Sequence, residues 1–336
     1  MHVKIAPGLD VRTALHAAEV ASRSMRAATI RDGSISAEEH PDPVPGDSDI
    51  LVRVHAAGLN GADILQLKGR YPAPPGAPQD IPGLEFAGEV LECGPGVQRF
   101  EPGDRVMSIV AGGGQAELAV VHERTAMPIP PELDWEAAGA VPEVFTTAHD
   151  ALFTQAGLRT GERLLVHGAA GGVGMAAVQL GQMAGARVTA TVRNPEMRAR
   201  IDALDVKAID PEGFEDHGPF DVILELVGGP NMPGNVKSLA TGGRIAVIGI
   251  GGGAKTELNL GALMGKRGRI HASTLRSRPL EDKAATARCV ERSVLPGFTS
   301  GDLSVPVYAT YPLDAVADAY DRFQAGGKLG KIVLLP

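Results

Sequence analysis

Residues 164–180 leave this 336-residue chain little freedom of fold. Leu164-Leu165-Val166 reads as a buried strand, His167 to Gly174 as a glycine-rich turn, and Met175 to Leu180 as the helix that follows. Within the turn the spacing is A-x-G-x-x-G, with Ala169, Gly171 and Gly174 at the three marked positions. Glycine at the second position lets the backbone approach a bound pyrophosphate, and glycine at the third lets helix and strand pack closely. The first N–H groups of a helix lack intrahelical acceptors and carry partial positive charge, so they suit phosphate oxygens. Ala170, Gly171, Gly172 and Val173 are therefore the expected phosphate-binding residues. Val173, Ala177, Leu180 and Ala184 give the helix an apolar stripe, and Gly185 is placed to end it.

Around this turn, strand and helix alternate. Leu164–His167, Arg187–Val192, Val206–Ile209, Asp221–Leu226, Arg244–Ile248 and Arg269–Ser273 each read as a short buried strand, the pattern of a parallel sheet covered on both faces. Six such strands complete a doubly wound dinucleotide-binding fold, in which ligands sit at the C-terminal strand ends. The end of the second strand selects the dinucleotide. An acid there binds the ribose 2′-hydroxyl, whereas a 2′-phosphate calls for a cation and no acid. The sequence has Thr191-Val192-Arg193-Asn194, with Arg198 one helical turn further on. Arg193 and Arg198, with no acid at Val192, point to NADPH.

Before Trp135 the texture is different: short β-runs at Ile50–Ala57, Glu85–Glu92, Arg105–Ile109 and Gln115–Val121, punctuated by Cys93-Gly94-Pro95-Gly96 and Glu101-Pro102-Gly103-Asp104. Such runs between strong turn signals fit a small barrel-like β domain. The tail returns to this texture, with Val305–Ala309, a helix near Leu313–Gln324, and Ile332–Leu335, so the nucleotide-binding unit reads as an insertion. The expected division is an N-terminal extension over 1–24, a β domain from 25–146 and 295–336, and a nucleotide-binding domain over 147–294. The first 24 residues lack the apolar core of a signal peptide, and Asp10 and Glu19 argue against a transit segment, so the expected location is the cytoplasm. No run of eighteen apolar residues suggests a membrane span. Two cysteines, Cys93 and Cys289, exclude a disulfide framework and a multi-cysteine zinc site. A formal charge of -8 gives no sign of a nucleic-acid partner.

Several motifs in order carry a wider resemblance: Gly58-Leu59-Asn60-Gly61-Ala62-Asp63, Pro82-Gly83-Leu84-Glu85-Phe86-Ala87-Gly88, Gly94-Pro95-Gly96-Val97, Pro102-Gly103-Asp104-Arg105-Val106 and the Gly168–Gly174 turn. From about Met25 to Pro336 the chain resembles the medium-chain dehydrogenase/reductase superfamily, and within it the zinc-free quinone oxidoreductases related to zeta-crystallin. The resemblance implies an α/β fold in which a Rossmann dinucleotide-binding domain is inserted in a GroES-like β-barrel domain, with the active site in the cleft between them. Zinc-dependent members hold their metal with a Cys, a His and a third Cys or acid. On the matching positions this chain carries Asn60, Leu84 and Glu143, and the four-cysteine structural lobe is absent. Leucine cannot ligate and one carboxylate with one amide is a poor zinc set, so no metal is expected.

The activity implied is reduction of a quinone or conjugated enone by NADPH. Without a metal, hydride transfer relies on positioning and on donors placed where negative oxygen develops. In the resembling family the stretch from Asn60 to Pro72 lines the acceptor pocket, which makes Tyr71 and Asn60 the candidate catalytic residues. Packing beside Pro72, Pro74 and Pro75 is an equally open role for Tyr71, and loop support is the simpler role for Asn60. Thr147, Val227, Gly249, Ile250 and Lys331 complete the implied cofactor contacts, while His149 and His167 read as core. Two other activities fit the residues. One is an enoyl-thioester reductase like the enoyl reductase domains of polyketide synthases, although Met197 stands where those tend to carry a lysine; the other is a nucleotide-binding protein with little turnover. Expected partners are the small-molecule acceptor and a second copy of the chain, forming a homodimer through the free edge of the Gly268–Ser273 strand.

Overall fold

The computed structural model describes residues 23–336. The expected extension, residues 1–24, lies outside the described residues except for its last two. Strands β1 (Ser24–Arg31) and β2 (Ser34–Pro41) pair as an antiparallel hairpin, and β3 (Asp49–Gly58), β4 (Glu85–Cys93), β5 (Arg105–Ile109), β6 (Leu118–His122) and β7 (Ala126–Pro128) build an antiparallel sheet. The first half of β3 pairs with β6 on one side, and β4 lies along its other side, so β3 is the sheet's spine. A Cβ on Gly88 would lie 2.0 Å from the Arg53 carbonyl oxygen, so β3 and β4 approach closely because that residue has no side chain. Then follow β8 (Arg163–Val166), β9 (Arg187–Thr191), β10 (Lys207–Ile209), β11 (Phe220–Glu225), β12 (Leu239–Val247) and β13 (Arg269–Ala272), all parallel in the order β10-β9-β8-β11-β12-β13. The chain finally returns through β14 (Val307–Pro312) to β15 (Lys331–Leu335), which pairs antiparallel with β3 at Val333–Gly58 and Leu334–Ala57. The parallel sheet is thus an excursion from the first. Strand β12 starts five residues before the expected Arg244, because Gly242 at φ 79° lets the chain kink while the pairing with β11 shifts register.

The helices used below are α1 (Gly61–Leu67), α2 (Pro142–His149), α3 (Gly172–Met183), α4 (Pro195–Asp202), α5 (Leu260–Lys266), α6 (Leu280–Ser293) and α7 (Val316–Gln324). Helix α7 shows how pattern becomes packing: Val316, Ala319 and Tyr320, spaced three and four apart, are its buried residues. Helix α2 is buried almost all round, which suits a helix wedged between the two sheets. Its Phe145 meets Phe298 edge to face at 4.9 Å, and one continuous core joins Met107 and Met127 of the first sheet to Leu164 and Val166 of the second and Val178 of α3. Truncating a buried aromatic such as Phe145 to alanine costs about 3–5 kcal/mol, so this shared core holds the two sheets in one orientation. Among the described residues no helix is long and apolar enough to cross a membrane.

Candidate active site

Strand order reverses between β8 and β11, and the crevice above their C-terminal ends is where this fold receives ligands. The chain leaves β8 through Gly168 at φ 63° and enters α3 from Gly171, whose backbone is extended. Helix α3 has no side-chain cap and no acid in its first turn. The N–H groups of Gly172, Val173 and Gly174 therefore have no acceptor from the helix itself. By contrast Asn194 caps α4 and Asn259 caps α5. A Cβ on Gly174 would lie 2.5 Å from the Gly168 carbonyl oxygen, so helix and turn meet only around glycine. A Cβ on Gly171 would meet nothing closer than 3.4 Å, so space is open there. Ala170, between these glycines, is half-buried.

Under this cradle lies a fully buried polar network. Glu225 Oε1 accepts from the backbone N–H groups of Val227 (2.6 Å) and Gly228 (2.7 Å), and its Oε2 accepts from Asn235 Nδ2 at 2.7 Å. His167 places Nε2 2.8 Å from Asn235 Oδ1 and Nδ1 3.0 Å from Thr191 Oγ1, and burial lowers its pKa. With both ring nitrogens engaged, His167 shapes the floor. Gly249 sits against the chain just after β11, where a Cβ would be 2.2 Å from the Leu226 carbonyl oxygen, and Ile250 beside it is 52% exposed. At the end of β9 Val192 is buried and its N–H donates to Ile209 at 3.0 Å. Arg193 is exposed, with no ion pair among the described residues. Arg198 is not equivalent: its guanidinium donates to the Val192 carbonyl at 3.2 Å and pairs with Asp210.

The acceptor side is built on β3, β4 and β15. Lys331 is 3% exposed, and its ammonium donates to Glu85 Oε1 (2.6 Å), Asn60 Oδ1 (2.6 Å) and the Leu59 carbonyl (2.9 Å). Glu85 Oε1 also accepts from Asn60 Nδ2 at 2.9 Å, and its Oε2 accepts from the Glu143 N–H at 2.7 Å. A Cβ on Gly58 would stand 2.3 Å from Glu85 Oε1, so that glycine makes room for the carboxylate. Asn60 Nδ2 is shared with the Gly58 carbonyl, at 3.3 Å. Its amide is thus committed on both sides. Of the two roles the sequence leaves open for Asn60, donor to an acceptor or support of its loop, these contacts favour loop support. Lys331, expected near the cofactor, spans the junction between the two sides. Its ammonium belongs to the acceptor side, and only its stem, at Cδ, lies beside the glycine turn at Gly172.

Asp63 caps the start of α1, accepting from Asn60 N–H at 2.8 Å, and burial pushes its carboxyl up to about 6. Glu143, one helical turn before the buried Thr147 on α2, is half-buried; burial and the nearby Glu85 push its carboxyl up to about 8. The half-buried Tyr71 has a raised pKa, from burial and then from Glu143. Its ring faces the Arg276 guanidinium at 5.0 Å, and among the described residues its hydroxyl has no protein hydrogen bond. Tyr71 is therefore the sequence-named donor still free to donate. Glu225 and Arg276 escaped sequence reasoning. An acid ending a buried strand could have flagged Glu225, whereas nothing around Arg276 signals its position.

Two family models match the chain: the alcohol dehydrogenase GroES-like domain over residues 46–131 and the zinc-binding dehydrogenase family over residues 202–334. The quinone oxidoreductase of Rattus norvegicus is 33% identical over 306 residues, covering 87% of this chain and 91% of that protein. Polyketide synthase GfsB of Streptomyces halstedii is 34% identical over 298 residues, covering 86% of this chain and 5% of that protein. Among solved structures, the quinone oxidoreductase of Pseudomonas syringae superimposes with a TM-score of 0.81 at 28% identity, covering 93% of this chain and 99% of that one.

Proposed function

The chain belongs to the medium-chain dehydrogenase/reductase superfamily of oxidoreductases, and from that premise we propose that it reduces quinones or conjugated enones with NADPH and without a metal. The observation that carries the proposal is the junction at Gly172. A Cβ there would lie 2.7 Å from Val144 Cγ1 and 3.1 Å from Lys331 Cδ, so the uncapped start of α3 abuts the acceptor-side cluster. A dinucleotide whose pyrophosphate lies on α3 would therefore have one end close to α2 and Tyr71.

The family implies a nicotinamide cofactor, and the residues fit one. The free N–H groups of Gly172, Val173 and Gly174 suit a pyrophosphate, and Val227, Gly249 and Ile250 rim the same crevice. Thr147 stands near the nicotinamide end, and Arg193 is the cation available to a 2′-phosphate. When bound, the cofactor supplies a hydride. Tyr71 donates its hydroxyl hydrogen to the acceptor oxygen as negative charge collects there, while Asn60, Glu85 and Lys331 hold the loop that carries it.

Zinc does not fit this site. The Lys331 ammonium sits between Asn60 and Glu85, where a second cation would be repelled, and Leu84 offers no ligand. The test is NADPH oxidation against quinones, enals, enones and acyl-thioester enoyl substrates, with and without a strong chelator. Turnover of quinones or enones that survives chelation is expected, and loss restored by zinc would refute metal independence. The match to polyketide synthases favours a second reading, an enoyl-thioester reductase, which turnover confined to the thioester members would establish. We place the protein in the cytoplasm as a homodimer. Strand β13 is one of the two edges of the parallel sheet, and on α5 beside it Leu260 and Met264 are 64% and 76% exposed. A monomer by light scattering at micromolar concentration would refute the dimer.

A further inference from the structure

We propose that Arg276 is the positioning residue that holds Tyr71 toward the acceptor, acting from the nucleotide-binding side of the cleft. The inference rests on the donor role proposed above for Tyr71. Arg276 lies in the segment that leaves β13, yet its guanidinium reaches three groups on the helix and loops that connect strands of the first sheet. Nη1 donates to the Tyr71 carbonyl at 2.9 Å, Nη2 to Gln66 Oε1 at 2.6 Å and Nε to the Ala111 carbonyl at 2.7 Å. The side chain is 5% exposed and its charge faces the Tyr71 ring. One planar group thus fixes the end of α1, the loop to Tyr71 and the glycine loop at Ala111–Gly114.

The segment bearing Arg276 is itself anchored. Arg278 donates to both carboxylate oxygens of the buried Asp150, at 3.0 and 2.7 Å, and through Nε to the Thr274 carbonyl at 2.9 Å. Asp150 directly follows α2, the helix that carries Thr147 and Glu143. Tyr71 is therefore tied through Arg276 to elements that belong to the cofactor side, not only to its own loop. No carboxylate pairs with the Arg276 guanidinium among the described residues, so its partners are neutral acceptors in fixed directions. A rigid five-donor fork meets such a set, whereas an ammonium cannot reproduce its geometry. A cation over the ring face also favours the tyrosine as it shares its proton with a developing oxyanion.

The test compares Arg276→Lys, Arg276→Ala, Tyr71→Phe and the two double variants, using an enone acceptor. A donor displaced by about 1 Å costs on the order of a hundredfold in rate. Each Arg276 variant should therefore lose roughly ten- to a hundredfold in kcat, while NADPH affinity, read by fluorescence titration without an acceptor, stays within about twofold. In the Tyr71→Phe background the same changes should lower kcat little further, and guanidinium ion should partly restore Arg276→Ala but not its double variant. Multiplying losses in the double variants would overturn the proposal. So would weakened NADPH binding with kcat intact. Full kcat in Tyr71→Phe would overturn it together with the donor reading, whereas a slow Tyr71→Phe with independent Arg276 losses would remove the positioning role alone. If Arg276→Ala does not fold, Arg276→Lys, which keeps the charge and most of the stem, decides the matter.

Discussion

Replacing Lys331 with methionine keeps most of the side-chain volume and deletes the charge at the centre of the acceptor side. At 2.6 Å from Glu85 Oε1, the ion pair attracts by about 6 kcal/mol at an effective dielectric of ~20, before the cost of desolvating both ions. Both partners are essentially out of solvent, at 3% and 0% side-chain exposure. Breaking such a pair from one side costs about 3–5 kcal/mol, because the surviving carboxylate stays buried without its counter-charge. The Leu59 carbonyl and Asn60 Oδ1 lose their donor in the same step. The transition temperature of the cofactor-free protein should fall by roughly 4–7 °C. The chain has a single tryptophan, Trp135, stacked on His55 at 4.3 Å, so its fluorescence follows unfolding around the first sheet. Adding Glu85→Gln should recover a large part of the loss, since a pair removed whole is far less costly than a pair cut in half. A loss below about 1 kcal/mol, or a double variant with the summed cost of both single ones, would refute the reasoning.

Arg193→Ala should weaken NADPH by roughly ten- to a hundredfold, the value of one charge-assisted contact of about 1.5–3 kcal/mol, and leave NADH nearly unchanged. Equal losses in a binding titration would show that Arg193 does not read the 2′-phosphate. Tyr71→Phe should lower kcat for enones by about a hundred- to a thousandfold with NADPH affinity unchanged, and for the more electrophilic quinones by less. A single wild-type rate for both acceptors would leave Tyr71 as packing. The Glu143 carboxyl, raised to about 8 in the folded chain, stays protonated where the unfolded chain has already released the proton. Its contribution to stability is therefore full at low pH and falls as pH rises from about 4.5 to 8. Glu143→Gln should flatten that decline in a series of thermal melts, and parallel curves for the two proteins would contradict the assignment.

Much of the fold is legible locally, because each part rests on neighbours in sequence. A-x-G-x-x-G after Leu164-Leu165-Val166 announces β8, the turn and α3, since the same few residues supply the strand, the left-handed Gly168 and the close approach at Gly174. The six parallel strands stand out as short apolar runs, and the missing acid at Val192 depends on one position. The acceptor side is different. Asn60, Glu85, Glu143 and Lys331 come from four separated segments, and whether Asn60 donates to a ligand or holds a loop depends on where Lys331 Nζ lies, which no spacing reveals. Arg198 and Arg193 look alike in sequence, yet Asp210 pairs with the first, and among the described residues the second has no ion pair. Arg276 had no local sign at all, because its three partners are 165 to 210 residues away along the chain. Periodicity and turn chemistry are short-range properties and determine elements, whereas the pairing of buried charges is settled only when tertiary packing brings distant segments together and withdraws them from water.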